Sequence, residues 1–196
     1  MTAPCGVYSP PLVPNHKEAP VKNVLATLAI GFTVSAPAFA VDLDGAKGFE
    51  PEKFLGTWYQ IQSTNPIFQR NCKCAKAEYS AINEKTIKVM NTCYEFDGGV
   101  STATGKAVIG DSAKPSRLSV SFSPITLGGV NYVVTEFGDN YEYAVVVTPG
   151  NAPIWILSRE KELSSSVLAG IHLRLVQAGV KINNLKDTSP LQCEAH

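Results

Sequence analysis

From Gly56 onward, apolar and polar side chains alternate in short runs separated by turn residues. The runs are Gly56 to Ser63, Ala75 to Ala81, Thr86 to Tyr94, Val100 to Ile109, Arg117 to Phe122, Asn131 to Phe137, Tyr141 to Val147 and Ile154 to Arg159. Between them lie "INEK", "FDGG", "GDSAKP", "PITLGG", "FGDN" and "TPGNAP", whose Gly, Pro, Asn and Asp suit tight turns. A period of two predicts strands, and short connections predict antiparallel neighbours, because a parallel pair needs a long crossover. Eight such strands in succession predict an all-β, up-and-down barrel, which leaves no open edge and encloses room for one small ligand. A two-sheet sandwich would need a long Greek-key connection, and the chain offers none between strands.

Two segments depart from the alternation. "STNPIFQRNCKC" carries the connection from Thr64 to Cys74 after the first strand, and its Ile67 and Phe68 suit a flap over an open barrel end. In "SSSVLAGIHLRLVQAG" the period lengthens so that Leu168, Ile171 and Leu175 share one helical face, with Ser164 as N-cap and Gly179 at the C-terminal stop. One helix outside the barrel is therefore expected after the last strand, with His172 at a surface or interface rather than in a functional role. The tail from Val180 to His196 shows little periodicity.

The first forty residues do not belong to this pattern. "VKNVLATLAIGFTVSAPAFA", from Val21, has a basic start, an apolar stretch broken by Gly31 and an Ala-x-Ala ending, the layout of a secretory signal cut between Ala40 and Val41. The apolar run is shorter than the ~20 residues of a spanning helix. Residues 1–20 are Pro-rich and read as a non-native or disordered extension, leaving 41–196 as the barrel domain. The chain is thus expected to be exported, into a periplasm, a secretory route or an organelle lumen. No Cys stands at the cut to take a lipid anchor.

Charge and cysteine content narrow the function further. Lys plus Arg and Asp plus Glu number 17 each, so no net field recruits nucleic acid, and 44% hydrophobic residues supply a core easily. The domain retains Cys72, Cys74, Cys93 and Cys193, an even set that in an exported chain reads as two disulfides. Cys72-x-Cys74 is tighter than a zinc knuckle, and His172 and His196 form no ligand pattern with it. Cys93 lacks a companion His for thiol catalysis.

"FLGTWYQI" and "IWILSRE" carry the decisive resemblance. The chain resembles the lipocalins, especially the bacterial lipocalin and apolipoprotein D branch, over nearly all of the region after Ala40. The resemblance puts Gly56 and Trp58 of the first motif at the closed end of the barrel and lays Arg159 of the third across the Trp58 indole. The second motif, normally Thr-Asp-Tyr, is altered here to Gly138-Asp139-Asn140. It also implies a bond from Cys74, five residues before Tyr79, to Cys193, which leaves Cys72 for Cys93. The swapped pairs, Cys72 with Cys193 and Cys74 with Cys93, stay open.

Alternation in "RLSVSFS" turns Leu118, Val120 and Phe122 to one face, taken as inward. The family register adds Trp155 and Leu157, with Ala77 and Tyr79 of the second strand and Ile87, Val89 and Asn91 of the third. Ala144 and Val146 are assigned inward, with Tyr143 and Val145 beneath the helix. Tyr132 against Val133 stays open. Small Ala77, Ala144 and Val146 leave room for a mostly apolar cavity with Gln60, Asn91 and the Tyr79 hydroxyl as polar points, and Ile67 and Phe68 at its mouth. The resemblance implies a carrier or scavenger of a fatty acid, lysophospholipid, sterol, carotenoid or tetrapyrrole, without cofactor or metal. Peripheral contact with membrane lipid is the further expected partner, and monomer and dimer are both open. The alternative is an enzyme on the same barrel acting on a lipid or isoprenoid.

Overall fold

The computed structural model describes residues 44–123, 128–150 and 153–194. The expected signal segment and residues 1–20 lie outside them. Eight antiparallel strands close into a barrel: β1 (Gly56–Ser63), β2 (Cys72–Asn83), β3 (Thr86–Glu95), β4 (Val100–Ile109), β5 (Arg117–Ser121), β6 (Tyr132–Phe137), β7 (Tyr143–Val147) and β8 (Ile154–Ser158). Each pairs with the next, and β1 closes the ring by pairing with both β2 and β8. Its first half lies against β2 and its second against β8, with a bulge between Gln60 and Gln62 where the register shifts.

Helix α2 (Ser165–Gln177) follows β8, and the Ser164 hydroxyl accepts the Val167 amide as its N-cap. Gly179 ends it at φ +77°, a left-handed conformation that glycine adopts without cost. Ile171 and Leu175 are buried against Val145, Val147, Ile154 and Ile156, with Leu168 and Tyr143 at the margin. This outer core explains why β7 is apolar on both faces: Ala144 and Val146 face the barrel interior, and Val145 and Val147 face the helix. His172 lies at the interface of helix and barrel, its Nε2 2.6 Å from Gln62 Oε1 on β1.

Several element boundaries differ from those the alternation predicts. β2 starts at Cys72 rather than Ala75, because Cys72 already pairs with Glu95 across a bulge that hides the period. Tyr141 precedes β7 in a turn at φ +57°. β5 stops at Ser121, so Phe122 lies beyond its end, and Arg159 follows β8. The tail expected to be irregular adds β9 (Lys186–Asp187), paired with the end of β1, and a short α3 (Leu191–Glu194). Disulfides join Cys72 to Cys93 and Cys74 to Cys193, the pairing the family resemblance implies. The second fastens the tail to β2.

Before β1, the four-residue α1 (Pro51–Phe54) begins on a proline, whose fixed φ and missing N–H suit a first helical position. It turns Phe54 into the barrel floor.

Candidate functional site

The floor is built from residues close in space and distant in sequence. Arg159 stacks its guanidinium 3.8 Å from the centre of the Trp58 ring. It also donates to the carbonyls of Thr57 (2.8 Å), Lys53 (2.7 Å) and Leu55 (2.8 Å), so its planar fork satisfies acceptors left free at the end of α1. Partial burial lowers the Arg159 pKa, while the aromatic face and the carbonyls favour its charge. Trp58 Nε1 donates to the Phe54 carbonyl at 2.7 Å. Gly56 has φ +95°, and a Cβ there would stand 3.3 Å from Arg159 Nη1, so both backbone and space favour glycine.

More aromatic rings fill the lower barrel than Trp58 alone. Phe54 packs between Trp58 (4.9 Å) and Tyr79 (5.0 Å), and Phe49 against Phe54, Phe137 and Tyr141. The Tyr141 hydroxyl accepts the Glu50 amide at 2.6 Å, tying the lead to the altered second motif. Asp139 itself is an exposed turn residue, while the neighbouring Glu142 carboxylate accepts the Asn140 amide. Phe49 and Phe54 carry no alternation; Pro51 between them was the legible sign of an ordered element.

Above this plug lies a cavity of about 300 Å³. Gln60, Ala77, Tyr79, Val89, Asn91, Val120, Phe122, Trp155, Leu157 and Phe68 line it. Ile67 lines a second, outer space of about 520 Å³ at the mouth, which shares Phe68, Asn91 and Phe122 with the first. Leu118, Ala144 and Val146 do face inward, yet they do not line the cavity: they are buried in the packed core with Phe49, Phe54 and Tyr141. These small residues share one packed core with the aromatics of the plug, so the cavity occupies only part of the barrel. Ile67 and Phe68 are 77% and 69% exposed, in a helical turn, Ile67–Gln69, between β1 and β2.

The polar groups within this upper half are more numerous and better connected than alternation suggested. Trp155 Nε1 donates to Gln69 Oε1 (3.0 Å), Gln69 Nε2 to Gln60 Oε1 (3.1 Å), and Gln60 Nε2 to Thr188 Oγ1 (3.0 Å) and Ser63 Oγ (3.3 Å). Gln69 thereby latches the flap to the barrel wall, and Thr188 is held from the tail. Of Tyr132 and Val133 on β6, Tyr132 faces inward: its hydroxyl lies 2.8 Å from that of Tyr79, and its ring stacks on Trp155 at 6.2 Å. Burial pushes the Tyr79 hydroxyl up to about 12, partly offset by the Tyr132 hydrogen bond, and it pushes Tyr132 well above its ordinary value. Gly105 shapes the mouth, since a Cβ there would meet the Phe122 ring at 2.7 Å.

Lys76 borders the cavity, but its register partners Tyr59 and Thr92 place it on the outward-facing row, and its Nζ pairs with Glu78 at 3.4 Å. The inner chamber is therefore apolar with neutral hydrogen-bonding groups. Among the described residues, no three His, Cys, Asp or Glu side chains converge as a metal site.

The family model for a lipocalin-like domain matches residues 49–190. The chain belongs to the lipocalin family. This lipocalin is 30% identical over 151 residues to a lipocalin-type protein of Acanthamoeba polyphaga mimivirus, covering 74% of this chain and 86% of that one. It is 28% identical over 166 residues to outer membrane lipoprotein Blc of Citrobacter freundii, covering 83% and 93% of the two chains. With apolipoprotein D of Mus musculus the identity is 24% over 152 residues, covering 75% and 80%. These relatives place the lipocalin in the bacterial lipocalin and apolipoprotein D branch. Apocrustacyanin C2 has the same fold, with a TM-score of 0.60 at 22% identity over 78% of this chain and 87% of that one.

Proposed function

We propose that this lipocalin is exported and carries or scavenges a small hydrophobic molecule, without catalysing its conversion. The observation that carries the reading is the apolar cavity of about 300 Å³, closed below by the Trp58–Arg159 floor and continuous with the mouth. That volume is at the lower end of the roughly 300–1,000 Å³ of small-molecule sites. Among fatty acids, lysophospholipids, sterols, carotenoids and tetrapyrroles, it favours a single acyl chain or a compact ring system lying within the barrel. The cavity residues Gln60, Ala77, Tyr79, Val89, Asn91, Val120, Trp155 and Leu157 are the proposed contacts, with Ile67, Phe68 and Phe122 at the entrance.

Pairing of Cys72, Cys74, Cys93 and Cys193 in disulfides leaves none of these thiols for covalent chemistry, which supports a carrier over an enzyme. Export is supported by the signal-like segment ending at Ala40 and by the likeness to an outer membrane lipoprotein. Peripheral contact with membrane lipid would use Ile67, Phe68 and Phe122 at the mouth, exposed apolar side chains beside the cavity entrance.

The test is a titration of straight-chain lipids of increasing length, followed by Trp155 fluorescence and by native mass spectrometry. Burial of each methylene stabilises the complex by about 0.8 kcal/mol, so Kd should fall roughly fourfold per carbon until the cavity is full. Affinity independent of chain length, or no binding by any lipid, overturns the carrier reading.

A further inference from the structure

Counting hydrogens at the Tyr79–Tyr132 pair shows what the cavity lacks. The two hydroxyls lie 2.8 Å apart and share one hydrogen bond, in which either oxygen can donate. Each hydroxyl carries one hydrogen, so one of the two O–H groups is engaged and the other has no acceptor among the described residues. A second open group adjoins it. Asn91 lies beside Val89, the register partner of Tyr79, on the same inward row, and its amide lines the cavity without a side-chain partner among the described residues. Trp155, Gln69 and Gln60, by contrast, satisfy one another. On this wall one phenolic O–H and the Asn91 Nδ2 hydrogens are thus open donors, beside the Asn91 Oδ1 acceptor.

We infer that the cavity recognises a neutral oxygen acceptor, a carbonyl, ester or hydroxyl oxygen, on the buried end of its ligand, through the Tyr79–Tyr132 hydroxyl pair and Asn91. The inference rests on the carrier function proposed above and gives its ligand an orientation, polar end inward. A neutral acceptor is favoured over an ionised one because no cation among the described residues faces the inner chamber: Lys76 is on the outward row beside Glu78, and Arg159 stacks on the Trp58 ring at the floor. An anion buried there would lose its hydration without a counter-charge. The raised Tyr79 and Tyr132 pKa values have the same cause, burial that disfavours negative charge. An apolar chain then fills the space between Val89, Val120 and Leu157 and extends toward Phe68 and Phe122.

The experiment compares three probes of equal chain length, an alkane, a fatty alcohol and a fatty acid methyl ester, by fluorescence titration of the disulfide-intact lipocalin. The ester and the alcohol should bind about five- to tenfold more tightly than the alkane, as one or two hydrogen bonds allow. Asn91→Leu and the pair Tyr79→Phe with Tyr132→Phe should each reduce that advantage, read as the ester-to-alkane affinity ratio within each protein, and the triple variant should abolish it. Thermal unfolding of each variant establishes that the barrel is intact. Equal binding of ester and alkane by the unaltered protein overturns the inference but leaves the carrier function standing, as does an ester advantage that survives in the triple variant. Failure of all three probes to bind removes both readings.

Discussion

Replacing Arg159 by Ala tests the floor most directly. The side chain stacks 3.8 Å from the centre of the Trp58 ring and donates to three carbonyls, of which those of Thr57 and Leu55 are partly buried and that of Lys53 is exposed. A partly desolvated cation over an indole contributes about 1 kcal/mol, and each partly buried bond about 1 kcal/mol. The exposed bond is replaced by water and adds little. The expected loss is therefore about 3 kcal/mol, which in a domain of this size lowers Tm by roughly 6–12 °C. Arg159→Lys keeps the charge but loses the planar stack and the forked donors, so it should recover less than half of that loss. Urea and thermal unfolding with the disulfides intact measure both variants. Trp58 and Arg159 do not line the cavity, so ligand affinity of the folded variant should change less than threefold. An Arg159→Ala protein within about 0.5 kcal/mol of the unaltered one would refute the reasoning. So would a lysine variant of full stability, since it would reduce the role of Arg159 to charge alone.

The two disulfides should contribute unequally. Their separations of 119 and 21 residues predict, in the chain-entropy limit, about 5 kcal/mol for Cys74–Cys193 and about 3 kcal/mol for Cys72–Cys93. Paired Cys→Ser variants in urea measure this, and thiol titration of the unfolded, unreduced domain should find none of the four free. Gln69→Ala removes the latch between Trp155 and Gln60, so stopped-flow mixing should show ligand association and dissociation both several-fold faster, with Kd changed less than either rate. Alkaline titration reads the phenols. Burial, with Glu136 adding to it, raises Tyr143 to about 12, and burial raises Tyr79 to the same value. Folded-state values above the ordinary value near 10 mean the native protein retains protons that the unfolded chain releases. That stabilisation is complete below pH ~10 and is lost as pH rises toward about 12, so ultraviolet absorbance should show late phenolate formation coincident with unfolding.

Much of the architecture was legible because barrel strands state their period locally. β1 and β4 have the bounds their alternation predicts and β3 gains only Glu95, and the outer helix announced itself through Ser164, Gly179 and the face of Ile171 and Leu175. The paired motifs around Trp58 and Arg159 named the family because each sits at a fixed point of the barrel. Where the period breaks, the reading fails for a local reason. The bulge between Cys72 and Cys74 concealed the start of β2, and the positive φ of Tyr141 moved that residue out of β7 into the plug.

Alternation determines which side of a strand a residue takes, and by itself the sequence determined the barrel, its helix and most of the inward face. How high in the barrel an inward residue stands, and what rises beside it, depends on register between strands and on segments without a period. Only the tertiary structure brought Phe49 and Phe54 into one packed core with Trp58, Tyr79, Ala144 and Val146. Only it set Tyr132 against Tyr79 across 53 positions, and Gln69 between Trp155 and Gln60. The cavity is a difference between packed and unpacked volume, and that difference exists only once the barrel has closed.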